Sequence, residues 1–170
     1  DDFPELCRES IVRIQTEFGS ATAFVITPDG YAITCAHAVS SKEDFSKLAY
    51  KNLKAYFRME GSDKEVSIKF HIVNSRPDLD LALIKIEAEV PLPYLKLADE
   101  NRRIKLGEHY RLYGFPNGRK GIMQFPGTIS TEAEQGVKGE LGYIRHISGD
   151  AEPGVINAPH DVITLRTLHG

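Results

Sequence analysis

With 170 residues, the chain is long enough for one domain of ordinary core size or for two small barrels sharing an interface. Its 21 basic and 24 acidic residues leave a net charge of −3, which gives no electrostatic reason to expect nucleic acid or an anionic membrane as partner. No apolar run approaches the roughly 20 residues needed to span a bilayer, and Asp1-Asp2-Phe3-Pro4 has neither the basic nor the apolar region of a signal peptide. A mature or excised fragment would read the same way, so compartment and oligomeric state stay open.

Taken in chain order, the elements read as all-β: short alternating runs separated by turn residues. A strand is expected over Ser10–Phe18. Thr22–Thr27 and Tyr31–Cys35 flank Pro28-Asp29-Gly30, where proline presets φ and glycine accepts a positive one. One or two helical turns fit between Ala36 and Tyr50. Leu53, Ala55, Phe57 and Met59 then alternate with polar neighbours, as do Val66, Ile68, Phe70 and Ile72, with Gly61–Lys64 as the loop between them. Leu81–Ile86 reads as a core strand. Pro91-Leu92-Pro93 breaks any strand near the middle of the chain and marks the crossing between two barrels. The expected division is 1–90 for the first barrel, 91–99 for the crossing and 100–170 for the second, all within one domain. Later strands are expected over Tyr110–Gly114, Ile122–Ser130, Leu141–Ile147 and Asp161–Leu168.

Two residues in this frame carry chemistry. His37 follows the apolar strand Tyr31–Cys35, which puts its imidazole at a strand end beside a surface or cleft. Asp80 stands directly before Leu81-Ala82-Leu83-Ile84, where a carboxylate is poorly solvated and needs a partner such as an imidazole N–H. Asp78 is its rival and reads as a solvated turn residue. The cysteines, Cys7 and Cys35, allow at most one disulfide and match no metal spacing, so two buried thiols are expected. His71, His109, His146, His160 and His169 show neither i,i+4 pairing nor cysteine company, so no metal and no cofactor is expected; His146 reads as a cross-strand surface residue. Asn117-Gly118-Arg119-Lys120-Gly121 lacks the spacing of a phosphate-binding loop.

Gly19-Ser20-Ala21-Thr22-Ala23-Phe24-Val25-Ile26, Asp29-Gly30, Thr34-Cys35-Ala36-His37-Ala38-Val39, Asp80-Leu81-Ala82-Leu83-Ile84-Lys85, Tyr113-Gly114-Phe115-Pro116 and Gly127-Thr128-Ile129-Ser130 occur in that order. Together they resemble trypsin-like serine peptidases of the HtrA (high-temperature-requirement) type or a close bacterial relative, over Ile11 to Leu168. The resemblance implies two packed antiparallel β-barrels and a His-Asp-Ser triad hydrolysing protein or peptide substrates through an acyl-enzyme. His37 would be the base and Asp80 its orienter.

The resemblance breaks at one point. Asp150-Ala151-Glu152-Pro153-Gly154 and Val155-Ile156-Asn157 match the segments on either side of the nucleophile, yet five residues of the Asn-Ser-Gly-Gly-Pro type are absent between Gly154 and Val155. They either belong to the protein and are missing from this sequence, were removed by design, or are absent in nature. Mobility of Gly-rich oxyanion loops and the intact flanks favour the first. Gly154 fits one of the two N–H donors of an oxyanion hole, the serine's own N–H being the other. Ser148 lacks the downstream glycines and is a poor substitute. Asp150, four residues before Gly154, is either a primary-pocket acid favouring Arg or Lys, or a turn residue; Thr167 and Leu168 are the other pocket positions implied. A last strand of the second barrel would lie beyond Gly170. The alternative function is a catalytically inactive, protease-like module that holds peptides in its cleft or at strand edges.

Overall fold

The computed structural model describes residues 9–16, 19–49, 53–58, 64–77, 80–97, 109–114, 123–139, 142–151 and 159–164. The main run of the chain divides after Leu95 into two compact units. In the first, β1 (Ile11–Thr16), β2 (Gly19–Val25), β3 (Tyr31–Thr34), β4 (Lys54–Arg58), β5 (Glu65–Arg76) and β6 (Leu81–Ile86) close into a barrel of order β1-β2-β3-β6-β5-β4. Every pairing in this barrel is antiparallel.

Period-two alternation explains which residues fill it. Val12 and Ile14 of β1, Ala23 and Val25 of β2, Ala55 of β4, Phe70 of β5, and Ala82, Ile84 and Ile86 of β6 form one cluster, each at most 3 % exposed. β6 is buried or half-buried at all six of its positions, as expected of an uninterrupted apolar run. The small alanines let strand backbones approach where the Phe70 ring and the three isoleucines fill the interior.

Expectation and structure part on β5. Ile68 and Ile72 pack partly against the core, but Val66 is 41 % exposed and Val73 46 %. Partners run from Ile72↔Ile84 directly to Asn74↔Leu83, so Val73 is the extra residue of a β-bulge. The bulge reverses the parity of the strand: Ile72 is half-buried on one side of it and Ser75 on the other. Ser75 Oγ then lies 3.0 Å from Ser40 Oγ, which ties the end of β5 to the segment that carries His37.

The turn at Pro28-Asp29-Gly30 forms where expected. Tyr31 N–H donates to Thr27 Oγ1 at 3.1 Å, and Gly30 takes a φ of +103°. A Cβ at Gly30 would lie 2.4 Å from the Ile86 carbonyl oxygen, so glycine is required by both conformation and space. Beyond β6 the chain stays with this barrel: Leu92 N–H donates to the Pro28 carbonyl at 2.9 Å and Leu95 N–H to that of Val25 at 2.8 Å.

The second unit contains β7 (His109–Gly114), β8 (Met123–Gly139), β9 (Gly142–Ala151) and β10 (Pro159–Thr164) in a sheet of order β10-β9-β8-β7. β8 and β9 form a long hairpin that reaches Gly139↔Gly142, well past the end expected for the first strand at Ser130. The second barrel expected from the resemblance is, among the described residues, this four-stranded sheet. His146 lies in β9 as expected, paired with Ile163 and Gln135. No helix among the described residues is long and apolar enough to cross a membrane.

Candidate active site

The site is assembled at one end of the first barrel from the ends of β3 and β6. Thr34, 2 % exposed, closes β3 by donating its hydroxyl to the Thr22 carbonyl at 2.8 Å. The chain then makes the single helical turn α1 (Ala36–Val39), short because Ser40 returns to extended backbone (φ −87°, ψ 139°). Its N-cap position is Cys35, whose side chain caps nothing.

Asp80 supplies the missing cap. Its carbonyl accepts the Ala36 N–H at 3.1 Å, and its Oδ1 accepts the His37 N–H at 2.8 Å. Two orphan donors of the turn are thereby satisfied by one residue 43 positions away. To do so Asp80 adopts φ +54°, which no other non-glycine residue does among the described residues. That conformation costs on the order of 1–3 kcal/mol and persists because neighbours over-determine it. Its own N–H donates to the Pro77 carbonyl at 3.1 Å, while Leu81, next in sequence, is already buried in the barrel.

With Oδ1 held, Oδ2 faces the imidazole. His37 Nδ1 lies 2.6 Å from it. A carboxylate can only accept, so Nδ1 carries the proton and Nε2 is left with its lone pair. The imidazole is 74 % exposed and the carboxylate 37 %. The carboxylate is therefore better solvated than its place beside an apolar strand suggested, because the left-handed turn lifts it to the barrel rim.

Of the other expected site residues, Asp150 has its backbone in β9, paired with Thr128 and Pro159, so it belongs to a strand and not to a turn. Ser148 lies in the same strand opposite Asp161. Gly154, Val155, Thr167, Leu168, Asp78 and Cys7 lie outside the described residues, as does Asn117–Gly121. Cys35 is a half-buried thiol rather than a buried one, and it forms no disulfide. Sequence reasoning gave it no part in the site, yet its sulfur stands with the ligand atoms of His37 and Asp80 in a group whose members lie within 4.8 Å of one another. Its place two residues before His37 was the available signal.

The family model described as "Trypsin-like peptidase domain" matches residues 21–160. The chain belongs to that family. Among curated proteins, this trypsin-like domain is similar to a probable periplasmic serine endoprotease DegP-like of Rickettsia prowazekii, at 27 % identity over 73 % of the chain and 21 % of the relative. It is also similar to serine protease HTRA4 of Mus musculus, at 26 % identity over 95 % of the chain and 32 % of the relative. It thus spans about a fifth to a third of these relatives' length. Among solved structures, the MamO protease domain of Magnetospirillum magneticum shares the fold with a TM-score of 0.64 at 18 % identity, covering 88 % of this chain and 75 % of that one. Deg5 does so with 0.63 at 24 % identity, covering 95 % and 76 %. The domain is an HtrA-type, chymotrypsin-like one.

Proposed function

We propose that this domain is a serine endopeptidase acting on protein or peptide substrates, with His37 as general base and Asp80 as its orienter. The observation that carries the reading is the pinned carboxylate: one oxygen is held by the His37 N–H at 2.8 Å while the other receives Nδ1–H at 2.6 Å. This fixes the tautomer that leaves Nε2 able to take a proton.

The reaction needs a serine in the segment that resembling proteases carry between the positions of Gly154 and Val155. Its Oγ would attack the substrate carbonyl carbon while Nε2 takes the hydroxyl proton, and Asp80 would stabilise the imidazolium formed. The Gly154 N–H and the serine's own N–H would hold the oxyanion. As the C–N bond breaks, the imidazolium returns its proton to the leaving amine. Water, deprotonated by the same nitrogen, then releases the acyl group and restores the serine.

The chain as it stands joins Gly154 to Val155, and that junction is what favours the second reading, a peptide-holding module. Placing Asn-Ser-Gly-Gly-Pro between these two residues should produce hydrolysis of a casein or peptide reporter, with the 170-residue chain inert. In the serine-bearing form, His37→Ala should lower kcat by about 10⁴-fold or more, since base and nucleophile act as a unit. Asp80→Asn should cost about 10⁴-fold by inverting the tautomer. Unchanged turnover in either variant overturns the assigned roles; peptide retention without cleavage in every form supports the module. Profiling on a peptide library separates the two pocket readings: cleavage after Val or Ala, as HtrA-type relatives prefer, leaves Asp150 without a pocket role.

A further inference from the structure

Cys35 ends β3, His37 rides on α1 and Asp80 opens β6, and the three offer sulfur, nitrogen and oxygen atoms within 4.8 Å of one another. A tetrahedral zinc ion holds thiolate sulfur at about 2.3 Å, imidazole nitrogen at about 2.0–2.1 Å and carboxylate oxygen at about 2.0–2.2 Å. Neighbouring ligand atoms around such an ion are then about 3.3–3.7 Å apart. The group is within side-chain adjustment of that arrangement, and each ligand is mounted on a hydrogen-bonded element rather than a free loop. Cys35 and Asp80 are half-buried while His37 is exposed, so an ion has an approach from solvent and a place for water as fourth ligand. A mixed S, N, O set selects zinc-like cations over magnesium or calcium.

We propose that Cys35, His37 and Asp80 form an inhibitory site for Zn²⁺ that competes with catalysis for the same imidazole. On binding, the Cys35 S–H bond breaks, a Zn–S bond forms and the proton leaves to solvent. If the ion takes Nδ1, the ring proton moves to Nε2; if it takes Nε2, the lone pair is used directly. Either way Nε2 can no longer accept a proton from a serine. Asp80 meanwhile keeps its Oδ1 bond to the His37 N–H and offers Oδ2 to the metal. Binding stands independently of the peptidase reading; inhibition rests on it.

The test titrates Zn²⁺ into the 170-residue protein by calorimetry and follows Co²⁺ by absorption. One ion per chain is expected, with a sulfur-to-cobalt charge-transfer band. Cys35→Ser should abolish the band and weaken Zn²⁺ binding by at least the roughly 10–100-fold that loss of an outer-shell partner already costs. Cys7→Ser should retain both, and far-ultraviolet dichroism checks that each variant is folded. In the serine-bearing form, Zn²⁺ should stop peptide hydrolysis and a chelator restore it, with the half-inhibitory concentration raised at least tenfold in Cys35→Ser relative to that variant's own uninhibited rate. Failure to bind an ion, loss of the ion in Cys7→Ser, or equal zinc sensitivity with and without Cys35 overturns the site. An ion bound through Cys35 in a serine-bearing protein that hydrolyses nothing leaves the site standing and removes the peptidase reading.

Discussion

Arg13 shows how strongly one side chain can depend on another in this barrel. It is 3 % exposed, with Nη2 donating to Glu65 Oε1 at 3.0 Å and Oε2 at 2.9 Å, its guanidinium carbon 4.6 Å from the Tyr56 ring centroid and Nη1 bonded to Gln15. Its Nε finds no hydrogen-bond partner. Removing Glu65 would therefore strand a cation with little water to replace its partner. Glu65→Ala should cost about 3 kcal/mol in urea unfolding, the lower part of the range for broken buried pairs, because Glu65 keeps 21 % exposure. The double variant Arg13→Met/Glu65→Met should recover most of that loss, since two apolar groups of similar size leave no unpaired charge. Gly30→Ala should cost at least about 1–3 kcal/mol from its backbone conformation alone, and the Ile86 carbonyl adds to it; an unchanged urea midpoint would contradict this account. Neither Arg13 nor Asp80 announced its environment in the sequence. Arg13 sits at the polar phase of an alternating strand, which reads as solvated until Glu65 and Tyr56 arrive from distant strands. A left-handed aspartate has no local signature at all.

Among the elements, the turn between β2 and β3 is tied down by charge as well as by glycine. The Thr27 hydroxyl, with Lys85 beside it, holds the Asp29 carboxylate below its ordinary pKa of 3.8. Lys85 Nζ lies 3.3 Å from Asp29 Oδ2 and also covers the Tyr31 ring. A carboxylate with a lowered folded-state pKa adds stability above its unfolded value and loses it as pH falls through the folded one. Asp29→Asn should accordingly flatten the decline in stability below about pH 4, with little change at neutrality, as read from urea midpoints across pH. The bulge of β5 matters for position rather than strength. Deleting Val73 removes the bulge and the bend it imposes just ahead of the Asp80 turn. The barrel should still fold, while the low-field Nδ1 proton resonance of His37 is lost. All ten described strands were legible as segments, because short alternating runs between turn residues mark strands well. Their faces were less so: the bulge changes parity without leaving a glycine or proline, so Val66 and Val73 could not be told from inward residues.

At the scale of the whole molecule, the first barrel has no free edge, since β4 returns to β1 through Arg13↔Tyr56 and Ile14↔Ala55. Its central amides should exchange slowly and together in native-state hydrogen exchange, those of β3 and β6 with the rest; early loss of β6 protection alone would argue against a single cooperative unit. The candidate dyad could be read from the sequence because His37 and Asp80 each adjoin an apolar strand. The third ligand group could not, because Cys35 joins the other two only after β3 and β6 pair through Thr34↔Ala82. That same pairing gives the Asp80 cap a temporal meaning. A helical turn capped by a residue 43 positions downstream cannot be completed on a growing chain until that residue has been made and its strand has docked. The imidazole is thus unaimed throughout synthesis and in any partly opened chain. A peptidase built this way stays harmless toward its own unfolded copies, and its power to cut switches on with the closing of the barrel.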